Sequence, residues 1–74
     1  MIGMAFQVTE DDVYYALTTN GVRVTEEQCG EMYELLEHDA IEKAALYGNN
    51  MDEQTGYAHQ EIWRQLRHRY PVAA

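Results

Sequence analysis

Apolar residues recur every three to four positions in four stretches of the chain, which is the spacing of a buried helix face. The first such face consists of Val13, Ala16 and Leu17. Thr9 is suited to cap a helix start, and Asn20-Gly21 is a left-handed stop signal. The pattern predicts a first helix over about residues 10–19.

The second apolar face follows Thr25, which forms a capping-box pattern with Gln28. Its members are Cys29, Met32, Tyr33, Leu36 and Ala40. Past Asp39 the phase changes, and the apolar set becomes Ile41, Ala44, Ala45 and Gly48. We therefore expect a helix over about 26–38 that breaks near His38-Asp39. A third helix over about 40–47 should end at the turn signal Gly48-Asn49-Asn50.

The last apolar face consists of Ala58, Ile62, Trp63, Leu66 and Tyr70. Asp52 is the expected N-cap, and the helix must stop before Pro71, because the residue preceding a proline avoids the helical region. The prediction is a fourth helix over about 53–69. Val22-Arg23-Val24 is too short to form a sheet alone, so we expect an extended connector whose valines reach the core.

These elements predict an all-α fold, a small bundle of three to four helices in a single domain spanning 1–74. Residues 1–8, apart from Phe6 and Val8, and residues 71–74 are expected to be loosely ordered. A chain of 74 residues has a core worth only a few kcal/mol, roughly 3–5, so self-association would add stability.

Cys29 is the sole cysteine, which excludes an internal disulfide and fits a reducing compartment. No stretch approaches the ~20 apolar residues of a membrane span, and the start MIGMAFQ lacks the basic and apolar regions of a signal peptide. We expect a soluble, cytoplasmic protein that does not contact a membrane.

Charge is distributed unevenly along the chain. Thirteen Asp and Glu residues against five Lys and Arg give a net charge of −8. All the carboxylates lie between Glu10 and Glu61, whereas Arg64, Arg67 and Arg69 crowd the end. Such a field selects basic partners before contact and repels phosphates, so direct nucleic-acid binding is not expected.

Glu27, Glu31, Glu34 and His38 would lie within about 60° of one another on the second helix. Two interpretations remain open for this acidic face. It is either a solvated surface that keeps the protein in solution, or a partner-binding surface that imitates nucleic-acid phosphates. In the second case the partner-binding residues are Glu26, Glu27, Glu31, Glu34 and Glu37.

The residues offer little for metal binding or catalysis. Glu-x3-Glu-x2-Glu-x3-His contains ligand atoms, but it lacks a Glu-x-x-His pair, and one straight helix displays carboxylates side by side rather than around a point.

Cys29 lies on the apolar face near Glu26 and Glu27, whose charge raises a thiol pKa. No phosphate-binding glycine pattern occurs. We expect no catalytic residue, metal or cofactor, and the chain is not predicted to be an enzyme.

The arginine-rich end carries a possible dimer or second contact formed by Trp63, Arg64, Arg67 and Tyr70. The cations also complement the dipole at a helix C-terminus, which is the structural alternative. Six tyrosines are open to two interpretations in the same way, as packing at the edge of a thin core or as interface anchors.

Small, acidic, helical chains with one cysteine or none resemble the anti-CRISPR and anti-restriction proteins that phages and plasmids use against bacterial defence. The resemblance rests on size and composition. It implies an inhibitor that occupies a basic, nucleic-acid-binding surface of a host defence complex. The arginine-rich end departs from an all-negative mimic, which leaves a structural or regulatory homodimer as the alternative. The most signature-like segment, Ala44 to Gly48 and on through Asp52 to Thr55, is not attached to any activity.

Overall fold

The computed structural model describes residues 7–70, which form four α-helices and a final 3-10 turn. The helices are α1 Glu10–Thr19, α2 Glu26–Leu35, α3 His38–Ala45 and α4 Met51–Leu66, followed by the 3-10 turn Arg67–Arg69. No strand occurs within 7–70. The predicted all-α bundle is therefore confirmed. The expectations for 1–6, including Phe6, and for 71–74 lie outside the described residues.

The first helix has the predicted bounds. Thr9 is its N-cap, and the backbone N–H of Thr9 donates to Asp12 Oδ2 over 2.8 Å. After the helix, Gly21 adopts a φ of +84°, the left-handed conformation in which a residue without Cβ is not strained. The cap and the stop together explain why α1 occupies one short, defined stretch.

The boundary between α2 and α3 differs from the prediction. Helix α2 ends at Leu35 rather than near residue 38, and α3 begins at His38 and ends at Ala45 rather than covering 40–47. Leu36 is extended and buried, so its side chain joins the core instead of prolonging the helix.

A tertiary contact from α4 stabilises this break. The backbone N–H of Glu37 donates to Gln65 Oε1 over 2.8 Å, and Gln65 Nε2 donates back to the Glu37 carbonyl over 3.3 Å. One side chain thus bonds both backbone groups of the residue at the break, and the Glu37 carbonyl also accepts from the Ile41 backbone N–H over 3.3 Å. The capping box of Thr25 and Gln28 at the start of α2 is confirmed.

Asn50, not Asp52, caps α4. Its Oδ1 accepts from the Glu53 backbone N–H over 2.9 Å, and the Glu53 carboxylate accepts from the Asn49 backbone N–H over 2.9 Å. The turn from α3 is tight enough that a Cβ on Gly48 would lie 2.4 Å from the backbone nitrogen of Gln54. Helix α4 thus starts two residues before the predicted position, and it ends at Leu66 rather than at 69, because Arg67–Arg69 form a 3-10 turn.

The core lies between α4 and the helices that pack on it. Helices α1 and α3 both contact α4, and α2 packs on α1. The buried apolar residues are Val8, Val13, Ala16, Leu17, Cys29, Leu36, Ile41, Ala45, Ala58, Ile62 and Leu66. Val22 and Val24 of the connector pack against them, as predicted. Among residues 7–70, no helix is long and apolar enough to cross a membrane.

Candidate partner-binding surface

Four carboxylates of α2 face solvent, while the apolar residues of the same helix face inward. Glu26, Glu27, Glu31 and Glu34 are exposed, and the Cys29 side chain is buried. We call these four residues the α2 stripe. Thr25 begins the helix with a complete capping box, so the local sequence determines where the helix that carries the stripe starts.

Two predicted members of the acidic face are not on α2. Glu37 is exposed but follows the helix end, where its backbone is held by Gln65. His38 starts α3, and its Nε2 lies 3.0 Å from the Tyr33 carbonyl oxygen. The predicted continuous face from Glu27 to His38 is thus wrong at its end, because the helix stops at Leu35.

Most of the acidic charge has no cation beside it. All thirteen carboxylates lie within 7–70. In that part of the chain Glu61 forms an ion pair with Arg64, with 2.6 Å between Oε2 and Nη2. Asp12 is hydrogen-bonded to His59, with 2.8 Å between Oδ1 and Nε2. The hydrogen bond from Arg64 lowers the pKa of the Glu61 carboxyl. The other carboxylates are exposed, and their field extends into solvent.

The structure adds two carboxylates from the first turn of α1 that were not among the predicted partner-binding residues. Glu10 and Asp11 lie with Glu26 around an open pocket of about 500 Å³, whose remaining lining is Tyr14, Val24 and Cys29. The pocket extends the acidic surface from α2 onto α1. The signal for it was the acidic run at residues 10–12, but only the packing of α1 on α2 joins that run to the stripe.

The pocket also explains the state of the cysteine. Burial raises the pKa of the Cys29 thiol, and the charges of Glu10, Glu26 and Asp11 raise it further. The direction agrees with the prediction, although the contributing carboxylates include two from α1. A thiol in this environment is protonated and a poor nucleophile.

One arginine of the chain end lies beside the stripe of its own molecule. Arg69 lines a shallow groove of about 620 Å³ with Gly30, Glu31, Met32, Glu34 and Leu35. The cation therefore offsets part of the field near Glu31 and Glu34. The end of the stripe near Glu26 and Glu27 has no such neighbour in that groove.

The residues predicted as a dimer or second contact have different environments. Trp63 and Tyr70 are half-buried and pack against the core. Arg64 is exposed but bonded to Glu61 through both Nε and Nη2. Arg67 is exposed. Two of the four side chains therefore contribute to folding as well as to any contact they make.

No group of three or more His, Cys, Asp or Glu side chains in the described part of the chain is arranged to hold a metal ion. Comparison with protein-family models, with curated proteins and with solved structures finds no match to this chain.

Proposed function

We propose that this chain is a non-enzymatic, acidic protein-binding module that occupies a basic, nucleic-acid-binding surface of a host defence complex. The observation that carries the proposal is the exposure of the α2 stripe without ion-pair partners. Its partner is a protein that normally binds the phosphates of a nucleic acid.

The arrangement of charge costs the isolated protein some stability. Like charges three or four positions apart on a helix destabilise it by about 0.2–0.5 kcal/mol per pair. Glu27, Glu31 and Glu34 have this spacing. A surface that only needed to be hydrated would be served equally well by mixed charges or neutral polar residues. A cationic partner surface turns the same repulsion into attraction, which is why we favour binding over solvation.

Arginine and lysine side chains that hold a nucleic-acid backbone are spaced to meet successive negative charges. A helix rises 1.5 Å per residue, so successive stripe carboxylates three to four positions apart are about 4.5–6 Å apart along the axis. The stripe thus offers a row of closely spaced negative charges to the basic side chains of a phosphate-binding groove.

The test is capture of proteins from nuclease-treated bacterial lysate, with retained proteins identified by mass spectrometry. The native chain is compared with a Glu27→Gln, Glu31→Gln variant and with a charge-matched control, Asp39→Asn, Glu42→Gln, whose carboxylates are exposed on α3. We expect a basic nucleic-acid-binding protein to be held by the native chain and by the control. The stripe variant should lose it, and binding should weaken steeply with salt.

Two outcomes would contradict the proposal. If the native chain and both variants retain the same proteins, the stripe is only a solvated surface. A homodimer detected by sedimentation would then support the alternative function, a structural or regulatory dimer. If both variants lose the partner equally, net charge rather than the position of the stripe controls capture.

A further inference from the structure

Large apolar side chains are concentrated at the turn between α3 and α4. Leu46, Tyr47 and Met51 are 75%, 79% and 65% exposed. We call these three residues the turn patch. They belong to the signature-like segment to which the sequence analysis attached no activity, and they lie within six consecutive positions of the chain.

The turn that carries the patch is held by its own hydrogen bonds. The Leu46 backbone N–H donates to the Glu42 carbonyl over 3.2 Å, and the Gly48 backbone N–H donates to the Ala45 carbonyl over 3.0 Å. Asn50 then caps α4. The backbone under the patch is thus ordered before any partner arrives, and little conformational entropy would be lost on binding.

These three residues are not members of the core cluster or of the partly buried residues that pack on it. Three large side chains exposed to this extent offer a combined area on the order of 400 Å², and apolar surface of this size on a monomer is often functional. Tyrosine and methionine are enriched at the centres of interfaces. Helix α2, in contrast to the turn, exposes one large apolar side chain, Leu35, among the described residues, so it presents mainly charge. Charge on a surface speeds association, whereas a buried apolar contact slows dissociation.

A second copy of the chain is a poor occupant. Each copy carries a net charge of −8, and Asp52, which is exposed, follows the patch directly in the chain. Pairing two patches would bring these carboxylates together. The patch also provides only about half of the roughly 800 Å² that each partner buries in a stable interface. A larger basic partner answers both objections, because it attracts the charge around the patch and can contact residues beyond the three side chains.

We infer that the turn patch is the apolar anchor of the interface, and that it enters an apolar pocket rimmed by basic side chains on the partner. This inference rests on the proposed function for the sign of the partner's charge. It assigns the two surfaces different tasks: the α2 stripe sets the salt-dependent association, and the turn patch sets a contact that persists in salt.

The test uses the full chain and two defined probes, a synthetic amphipathic helix of leucine and lysine and its counterpart of leucine and glutamate. Binding is followed by NMR chemical shifts at low and high salt. The patch variant is Leu46→Ser, Tyr47→Ser. Its control, Tyr15→Ser, Tyr57→Ser, makes the same kind of change at residues that are 59% and 41% exposed. Circular dichroism verifies that both variants are folded.

We expect the lysine probe to shift the signals of the turn patch and the glutamate probe to leave them unchanged. The patch variant should bind at least about tenfold more weakly at high salt, as for loss of an interface anchor, while the control keeps its affinity. The inference is overturned if the patch variant binds as tightly as the native chain, or if the shifts map to α2 alone. It is also overturned if the free protein sediments as a dimer that the patch variant abolishes, or shows contacts between residues 1–6 and the patch.

The two proposals fail separately. If the stripe variant still captures its partner from lysate, the role of the stripe is refuted, yet the probe result for the patch stands. If the patch variant binds the lysine probe normally, the anchor is refuted while the salt-dependent capture through the stripe is unaffected.

Discussion

Replacing Gly48 by alanine should strongly destabilise the protein, whereas the same change at Gly56 should stabilise it. A Cβ at position 48 would lie 2.4 Å from the Gln54 nitrogen, 2.7 Å from the Glu53 carbonyl carbon and 2.8 Å from the Gln54 Cα. All three atoms belong to the backbone of the first turn of α4, so no side chain can rotate away. At position 56 nothing lies within 4 Å of the added carbon.

The magnitude follows from the required movement. Ordinary contact begins near 3.4 Å, so the α3–α4 turn must open by about 1 Å, and overpacking of this kind costs about 1–3 kcal/mol. Against a total stability of only a few kcal/mol, roughly 3–5, the Gly48→Ala variant should be close to unfolding. Gly56 lies inside α4, where alanine is favoured over glycine by about 0.8–1.0 kcal/mol.

Thermal and urea unfolding followed by circular dichroism measure both effects. For a domain of this size each kcal/mol shifts Tm by roughly 4–8 °C, so the two variants should differ in Tm by on the order of 10–20 °C, with opposite signs relative to the native chain. A Gly48→Ala variant whose stability is within about 0.5 kcal/mol of the native value would refute the close approach of the two helices. Equal loss in both variants would show that a general effect of alanine, rather than the turn, is responsible.

Three further predictions concern single side chains. Gln65→Ala should lower the free energy of unfolding by about 0.5–1.5 kcal/mol, because it removes the hydrogen bonds that join the Glu37 backbone to α4, and an unchanged midpoint in urea denaturation would contradict this. The hydrogen bond from Arg64 lowers the pKa of the Glu61 carboxyl below its ordinary 4.5. The ionised carboxylate therefore stabilises the folded protein above that pH, and this stabilisation is lost as the pH falls through the lowered pKa. Glu61→Gln should reduce the difference in the free energy of unfolding between pH 7 and pH 3. Burial and neighbouring carboxylates raise the pKa of the Cys29 thiol. Its reaction with a disulfide reagent at pH 8 should therefore be slower than that of free cysteine, and it should accelerate when urea unfolds the protein. Equal rates in the folded and unfolded states would show that the thiol is not protected.

The helices themselves were predictable because their signals are local. For α1, the Thr9 cap, the apolar spacing and the left-handed Gly21 lie within one short stretch, and both bounds were correct. The same holds for the start of α2 at the Thr25 capping box. The inward faces also followed from periodicity, since a helix with one apolar stripe has one way to bury it.

The helix ends that were wrong are those determined by distant residues. The break after Leu35 depends on Gln65, twenty-eight positions from Glu37, and no local signal predicts such a hydrogen bond. At the start of α4, Gly48 closely approaches the backbone of the next helix. Asn50, which was expected only as part of the turn, is the cap in place of Asp52.

The acidic surface shows the same division. The spacing of Glu27, Glu31 and Glu34 was sufficient to predict that they share one exposed face, because 3.6 residues per turn is a property of any α-helix. The sequence alone could not tell that Glu10 and Asp11 meet Glu26 around one pocket. That meeting requires α1 to pack on α2. Periodicity determines what each helix presents, whereas only the tertiary structure brings surfaces of different helices together, since the contacts between them join residues far apart in the chain.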